Sequence, residues 1–237
     1  MAQIVDFHSH ILPGIDDGST SVEESIGMLR MEAEQGIKHV IATPHFYARH
    51  DTPAKFLQKR NEAEAKLREE MAKHEGLPRL SVGAEIYFFP GIADSDALWE
   101  LTIDKKECII LEMPQSFWTE SMYKEIEGIS VKQGITPILA HIDRYIRPFR
   151  TYGIMDRLAD LPVLVQANAS FFLRPRTKRT ALRLLREDRI HLLGSDCHNL
   201  SSRLPNMGQA LEMIEQRLGL EPLSRIEQYQ RMLLQTE

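Results

Sequence analysis

The chain has 237 residues, 43% hydrophobic and 27% charged, and a formal net charge of −5. That length suits one large α/β domain or two small ones, with roughly three quarters of the unfolded surface buried, and the composition excludes a disordered or low-complexity chain. The negative balance argues against a nucleic-acid binder, and no window approaches the roughly 20 apolar residues of a membrane span.

The opening Met1-Ala-Gln-Ile-Val-Asp6 has neither a basic n-region nor an apolar h-region, so the expected compartment is the cytoplasm, without membrane insertion. Short β-branched or apolar runs then alternate with stretches of helical period, the pattern of repeated β-α units around a parallel sheet. Seven strands are predicted: Gln3 to Phe7, His39 to Thr43, Leu80 to Ala84, Cys108 to Leu111, Thr136 to Ala140, Pro162 to Gln166 and His191 to Gly194. After the first, Ser21-Val-Glu-Glu24 reads as a capping box, with Glu24 reaching back to the cap, and opens a helix over Val22 to Gln35. The Gly-free, Ala/Glu/Lys/Arg-rich stretch Pro53 to Lys73 predicts a long surface helix. Further helices are expected at Met122 to Gln133, Tyr152 to Ala159, Lys178 to Glu187, Asn206 to Leu218 and Leu223 to Leu234. There is no internal repeat and no convincing linker, so residues 1–237 are expected to form a single domain.

Each apolar run is followed at once by residues able to bind a metal or polar ligand: His8-Ser-His10, Thr43-Pro-His45, Glu85, Glu112, His141 with Arg144, Asn168, and Asp196 with His198. In barrels of β-α units the carboxyl ends of the strands converge on one mouth, so these groups are expected to meet. Residues two apart on a strand project to the same side, so His8 and His10 can share an ion, although a lone pair of this kind is equally an ordinary hydrogen-bonded terminus. Asp196-Cys-His198 repeats the spacing where barrel closure would bring the last strand beside the first. A carboxylate such as Glu85 or Glu112 in a narrow mouth is costly unless a cation meets it. Two cysteines, Cys108 and Cys197, have no zinc-thiolate spacing, so metal must be held by imidazole and carboxylate. Five histidines and at least three carboxylates suffice for two or three divalent ions, and the donor mix suits manganese, iron, zinc or cobalt better than calcium. Magnesium is also compatible with the carboxylates.

The run Asp6-Phe-His-Ser-His-Ile-Leu-Pro-Gly-Ile-Asp-Asp-Gly18, then Ala42-Thr-Pro-His45, Gly83-Ala-Glu-Ile-Tyr87, His141-Ile-Asp-Arg-Tyr145 and Gly194-Ser-Asp-Cys-His-Asn199, resembles the polymerase-and-histidinol-phosphatase (PHP) superfamily. Within it, the chain is most similar to the bacterial manganese-dependent protein-tyrosine phosphatases of capsule and exopolysaccharide synthesis. The resemblance implies a distorted (β/α)7 TIM-like barrel with a trinuclear metal centre. It makes His8, His10, His45, Glu85, Glu112, His141, Asp196 and His198 the ligands, with Glu85 bridging, and assigns Arg144 and Arg203 to the phosphate. It also implies a tyrosine-phosphorylated protein, such as a bacterial tyrosine kinase, as partner. Ile142-Asp143 departs from a common Pro-Glu pair and Cys197 from a common alanine, neither at a ligand position.

The expected reaction is in-line hydrolysis of a phosphomonoester by water activated at the ions, without a phosphoenzyme. Asp16-Asp17-Gly18 reads as a turn that can also place Asp17 to orient the water or protonate the leaving oxygen. His39, His50, His74 and His191 read as structural or exposed, Asn168 as a ligand partner or a cap, and Phe88-Phe89-Pro90 with Phe117-Trp118 as pocket wall or core. The basic stretch Arg174, Arg176, Lys178, Arg179, Arg183 and Arg186 is a solvated face or a contact for an acidic or phosphorylated partner. Three rival functions remain. Cys197 and Arg203 have the C-x5-R spacing of cysteine-dependent phosphatases, though no glycines cradle a phosphate between them. The substrate could be histidinol phosphate or another small phosphomonoester. A non-catalytic metal-binding scaffold is the third.

Overall fold

The structure, a computed structural model, describes residues 3–146 and 153–235. Its strands are β1 (Asp6–Ser9), β2 (His39–Ala42), β3 (His45–Phe46), β4 (Arg79–Val82), β5 (Glu85–Tyr87), β6 (Cys108–Glu112), β7 (Thr136–Leu139), β8 (Leu164–Asn168) and β9 (Leu192–Gly194). The helices between them are α1 (Val22–Glu34), α2 (Pro53–Met71), α3 (Leu98–Leu101), α4 (Glu120–Gln133), α5 (Ile154–Ala159), α6 (Ala169–Leu173), α7 (Lys178–Arg186), α8 (Met207–Leu218) and α9 (Glu221–Leu234). Each of the seven predicted runs overlaps a strand, although Gln3–Val5 and Pro162–Val163 lie ahead of β1 and β8. The second and third resume as β3 and β5 after breaks at Thr43-Pro44 and Gly83-Ala84, pieces too short to show a period of two. The helix expected from Tyr152 begins at Ile154, with Gly153 in the left-handed region (φ 94°) as its cap, and Tyr152 itself lies outside the described residues.

Every strand ladder is parallel. The sheet forms two hydrogen-bonded sections, β1-β2-β4 and β3-β5-β6-β7-β8-β9, which approach each other through a parallel bridge between Ser9 and Cys197. The result is a curled, half-barrel α/β sheet. Its concave face carries a cluster of Phe7, Ile41, Ile110, Ile138 and Leu192, drawn from strands of both sections. Leu233 and Leu234 of α9 join this cluster, and Gln230 clamps the start of the first strand by accepting from Val5 N at 3.1 Å and donating to Val5 O at 3.2 Å. A larger apolar layer separates the sheet from the helices outside it. That layering explains the continuously apolar strands, buried on both faces.

The first helix corrects one local expectation. Ser21 Oγ accepts from Glu24 N as predicted, but the Glu24 carboxylate reaches past the cap to accept from Thr20 N and Thr20 Oγ1, both at 2.8 Å. Among the described residues, no helix is long and apolar enough to cross a membrane.

Candidate metal centre

At the carboxyl ends of the strands, β1 delivers His8 and the following His10, His45 opens β3 just beyond the end of β2, Glu85 opens β5 just beyond the end of β4, and β6 ends on Glu112. His141 follows β7, and Asp196 and His198 follow β9. All eight predicted ligands converge, and all but His45 are buried. Glu85 is the hub: its Oε2 lies 3.3 Å from His8 Nε2, 3.2 Å from His10 Nε2 and 2.9 Å from His45 Nδ1, while its Oε1 is 2.7 Å from His141 Nε2. Asp196 Oδ1 stands 3.7 Å from His8 and 3.6 Å from His10. Glu112 lies 3.5 Å from His141.

The local backbone is built for this convergence. His141 (φ 33°) and Asp196 (φ 53°) both occupy the left-handed region, which costs a non-glycine residue about 1 kcal/mol. Asp196 is therefore aimed by a kink rather than by strand alternation, and the i, i+2 argument that fits His8 and His10 does not describe Asp196 and His198. Two glycines permit the close packing: a Cβ at Gly18 would sit 2.2 Å from His10 O, and one at Gly194 2.5 Å from His8 Cβ. Gly18 thus serves close approach within the expected turn, which Asp16 closes by accepting from Gly18 N.

A second layer orients the imidazoles. His10 Nδ1 meets Asp16 Oδ2 at 2.7 Å, which turns Nε2 inward, and the same carboxylate accepts from His45 N and Gly18 N. His198 Nδ1 donates to Asp196 O, leaving Nε2 inward. Gln166 accepts from His141 N at 2.6 Å, and Asn168 donates to Asp196 Oδ2 at 2.9 Å, which settles the role of Asn168 as a ligand partner. Asp16 and Gln166 were missed from the sequence; an acid six residues beyond an HxH pair was read only as a turn former.

Do these residues fit divalent ions? The Nε2 atoms of His8 and His10 are only 3.2 Å apart, and Glu85 Oε2, His45 Nδ1 and His198 Nε2 are buried without a well-directed hydrogen bond, although Glu85 Oε2 and His45 Nδ1 lie 2.9 Å apart. Converging lone pairs of this kind require protons or cations between them. Three overlapping donor sets, His8/His10/Glu85, His45/Glu85/Glu112 and His10/Asp17/His45/His198, have ligand atoms within 4.8 Å of one another. The fit is good. Asp17 is 66% exposed, with Oδ1 3.4 Å from His45 and 3.5 Å from His198, so it stands in a donor set as well as at the mouth.

Electrostatics without ions show what a cation would replace. Burial opposes protonation of His10, but Asp16 and Glu85 outweigh it and push its pKa up to about 10. His8 is also raised, with burial outweighed by Glu85 and Asp196. Burial, then His10, lowers His198 to about 4. Burial would keep Glu85 neutral, yet His8, His10, His141 and His45 hold it well below the carboxylate range. A cation entering here therefore displaces imidazole protons, and its affinity falls as pH falls.

Arg144 and Arg203 sit at the rim, but on carboxylates of the candidate ligand set. Arg144 spans Glu112 Oε1 (3.1 Å) and Asp196 Oδ2 (2.6 Å), while Arg203 donates to Asp196 Oδ1 (2.7 Å). Beside them a pocket of about 470 Å³ includes Asp143, Asn168 and Arg174. Across the site, one of about 340 Å³ is lined by Asp17, His45, Tyr47, His50 and Phe56. The aromatic wall is thus Tyr47, His50 and Phe56. Phe88, Phe89 and Trp118 pack on the outer core, and Phe117 is 79% exposed. His39 meets Ser81, His191 accepts from Val165 N, and His74 meets Glu70, all away from the eight ligands, as expected.

Cys197 is fully buried, and burial, then Asp6 and Glu32, push its thiol well above the ordinary range. An inaccessible, protonated thiol is no nucleophile, so the C-x5-R spacing is coincidental. Behind it, Asp6 accepts from His8 N, Ser195 N and Ser195 Oγ, and lies within 4.8 Å of Glu32 and Cys197. Burial, then the charge of Asp6, drives Glu32 well above the carboxylate range, so it is a neutral acid. Its contribution is full below the unfolded pKa and is lost as pH rises through the folded one. Glu32→Gln, always neutral, is expected to gain stability over the parent between pH 5 and pH 8, by about 1 kcal/mol or more. Urea unfolding at both pH values checks this; an unchanged difference would refute it.

The model of the capsular polysaccharide synthesis family CpsB/CapC matches residues 4–233. The chain belongs to this family. It is 31% identical to the tyrosine-protein phosphatase CpsB of Streptococcus pneumoniae, over 91% of each chain. Identity to the tyrosine-protein phosphatase YwqE of Bacillus subtilis (strain 168) is 28%, over 92% of this chain and 86% of that one. A solved structure reported with YwqE of B. subtilis and CpsB of S. pneumoniae as unique metal-dependent tyrosine phosphatases superposes with a TM-score of 0.84. It covers 99% of this chain and 95% of that one at 24% identity, a likeness of fold.

Proposed function

We propose that this CpsB/CapC-family chain is a metal-dependent protein-tyrosine phosphatase acting in capsule or exopolysaccharide synthesis. Its two sheet sections are then one distorted (β/α)7 barrel, and residues 1–237 one PHP-type metallophosphatase domain. The observation that carries the reading is the gathering of eight candidate ligands at one mouth, with Glu85 facing His8, His10, His45 and His141, buried groups lacking a well-directed hydrogen bond, and two arginines at the rim. His8, His10, His45, Glu85, Glu112, His141, Asp196 and His198 would hold two or three ions, manganese by preference over iron, zinc, cobalt or magnesium, with Asp17 an added donor. When bound, such ions supply Lewis acidity and a nucleophile at neutral pH.

The chain's own groups do the rest. Glu85 bridges donor sets, and Asp16 fixes the tautomer of His10. Arg144 and Arg203 present planar donors beside the ligand carboxylates and neutralise the phosphate's non-bridging oxygens. Asp17, exposed at the mouth, orients water or returns a proton to the leaving phenolate. The Tyr47 pocket receives the tyrosyl ring. A tyrosine-phosphorylated bacterial kinase is the natural substrate protein, with the cytoplasm as compartment. Manganese-loaded protein should hydrolyse a phosphotyrosine peptide at least tenfold faster, in kcat/KM, than histidinol phosphate. The reverse order would move the substrate to small phosphomonoesters. No turnover of either would support a metal-binding scaffold.

A further inference from the structure

The pocket holding Arg144 and Arg203 continues outward past Ser202 and Gln209 to Arg174, in the turn between α6 and α7. Its acidic groups are engaged: Asp196 by the two rim arginines and Asn168, and Asp143 by Asn168 N. Arg174 is exposed, and among the described residues its side chain makes no ion pair or hydrogen bond. Arg176 and Arg179 are likewise exposed, and neither they nor the half-buried Lys178 form a side-chain ion pair or hydrogen bond among the described residues. So much uncompensated positive charge is unexpected in a chain of net charge −5.

We propose that Arg174 is a specificity-determining residue that binds a carboxylate side chain flanking the phosphotyrosine of the substrate. The inference rests on the phosphatase reading above. With the phosphate held by Arg144 and Arg203 and the tyrosyl ring against Tyr47, the peptide crosses the mouth, and at about 3.4 Å per residue a side chain a few positions away reaches back to Arg174. Aspartate or glutamate there finds a guanidinium with no competing partner among the described residues. The pairing is solvent-exposed and so depends on ionic strength.

Three phosphotyrosine peptides of equal length test this, with flanks of aspartate and glutamate, of serine, or of serine plus a second phosphotyrosine. Each is assayed with metal-loaded parent, Arg174→Ala and Arg174→Lys protein at low and high salt, with p-nitrophenyl phosphate as a substrate without flanks. The parent should prefer the acidic over the serine peptide about fivefold in kcat/KM, through KM, at low salt. That ratio should fall to about one in Arg174→Ala and partly return in Arg174→Lys. An undiminished ratio in Arg174→Ala, or none in the parent, would overturn the subsite. A preference for the doubly phosphorylated peptide alone would overturn its assignment to a carboxylate. Failure on every substrate, p-nitrophenyl phosphate included, would instead bring down the phosphatase reading and the subsite with it.

Discussion

Glu85→Gln is expected to lower kcat/KM at saturating manganese by about a thousandfold or more and to remove at least one ion per chain. The amide matches the carboxylate in shape but brings no charge, and it offers one oxygen where the site uses two. Glu85 Oε2 faces three histidines while Oε1 faces a fourth, so no neighbour can substitute for it. The substitution also removes one counter-charge from His8 and His10, leaving Asp196 as the other. In the metal-free protein it should cost about 3 kcal/mol or more of stability at neutral pH, where the His10 ring is protonated. Metal content by mass spectrometry, steady-state kinetics and urea unfolding report on the three consequences. A variant with full metal content and activity within tenfold of the parent would show that Glu85 is not a bridging group.

Arg144→Lys is expected to cost about a hundredfold in kcat/KM despite preserving charge. The guanidinium spans Glu112 and Asp196 through two separate nitrogens, at 3.1 and 2.6 Å, and a lysine ammonium cannot hold both carboxylates and still present a planar donor pair to phosphate. Because these carboxylates belong to the candidate ligand set, metal affinity should weaken as well. Titrating activity against manganese at fixed substrate separates the two effects. Activity within threefold of the parent would place Arg144 outside phosphate binding and leave it as a simple counter-ion.

The parts of the site carried by short-range pattern were legible from the residues. His8 lies in β1 and His10 just beyond its end, as their spacing suggested, and the other candidate ligands follow apolar runs that do end at one mouth. What pattern could not show is how the chain departs from regular strands. The left-handed backbone at His141 and Asp196, the resumption of strands at His45 and Glu85, and the close approach at Gly18 depend on tertiary contacts. Asp16 and Gln166 were hidden for the same reason, since their partners lie six to 29 and 25 residues away, respectively. Glu32 looked like any acid in a surface helix, and only the fold places it fully buried beside Asp6. The aromatic wall was sought after β5 and β6 but found after β3, where Tyr47 follows a strand too short to predict.

The central claim is that the strand ends form one multinuclear metal centre. Anomalous diffraction from crystals of manganese-loaded protein tests it most directly. Two or three peaks are expected, within His8/His10/Glu85, His45/Glu85/Glu112 and His10/Asp17/His45/His198, with Glu85 touching more than one ion. A lone peak away from Glu85, or none at saturating metal, would contradict the account.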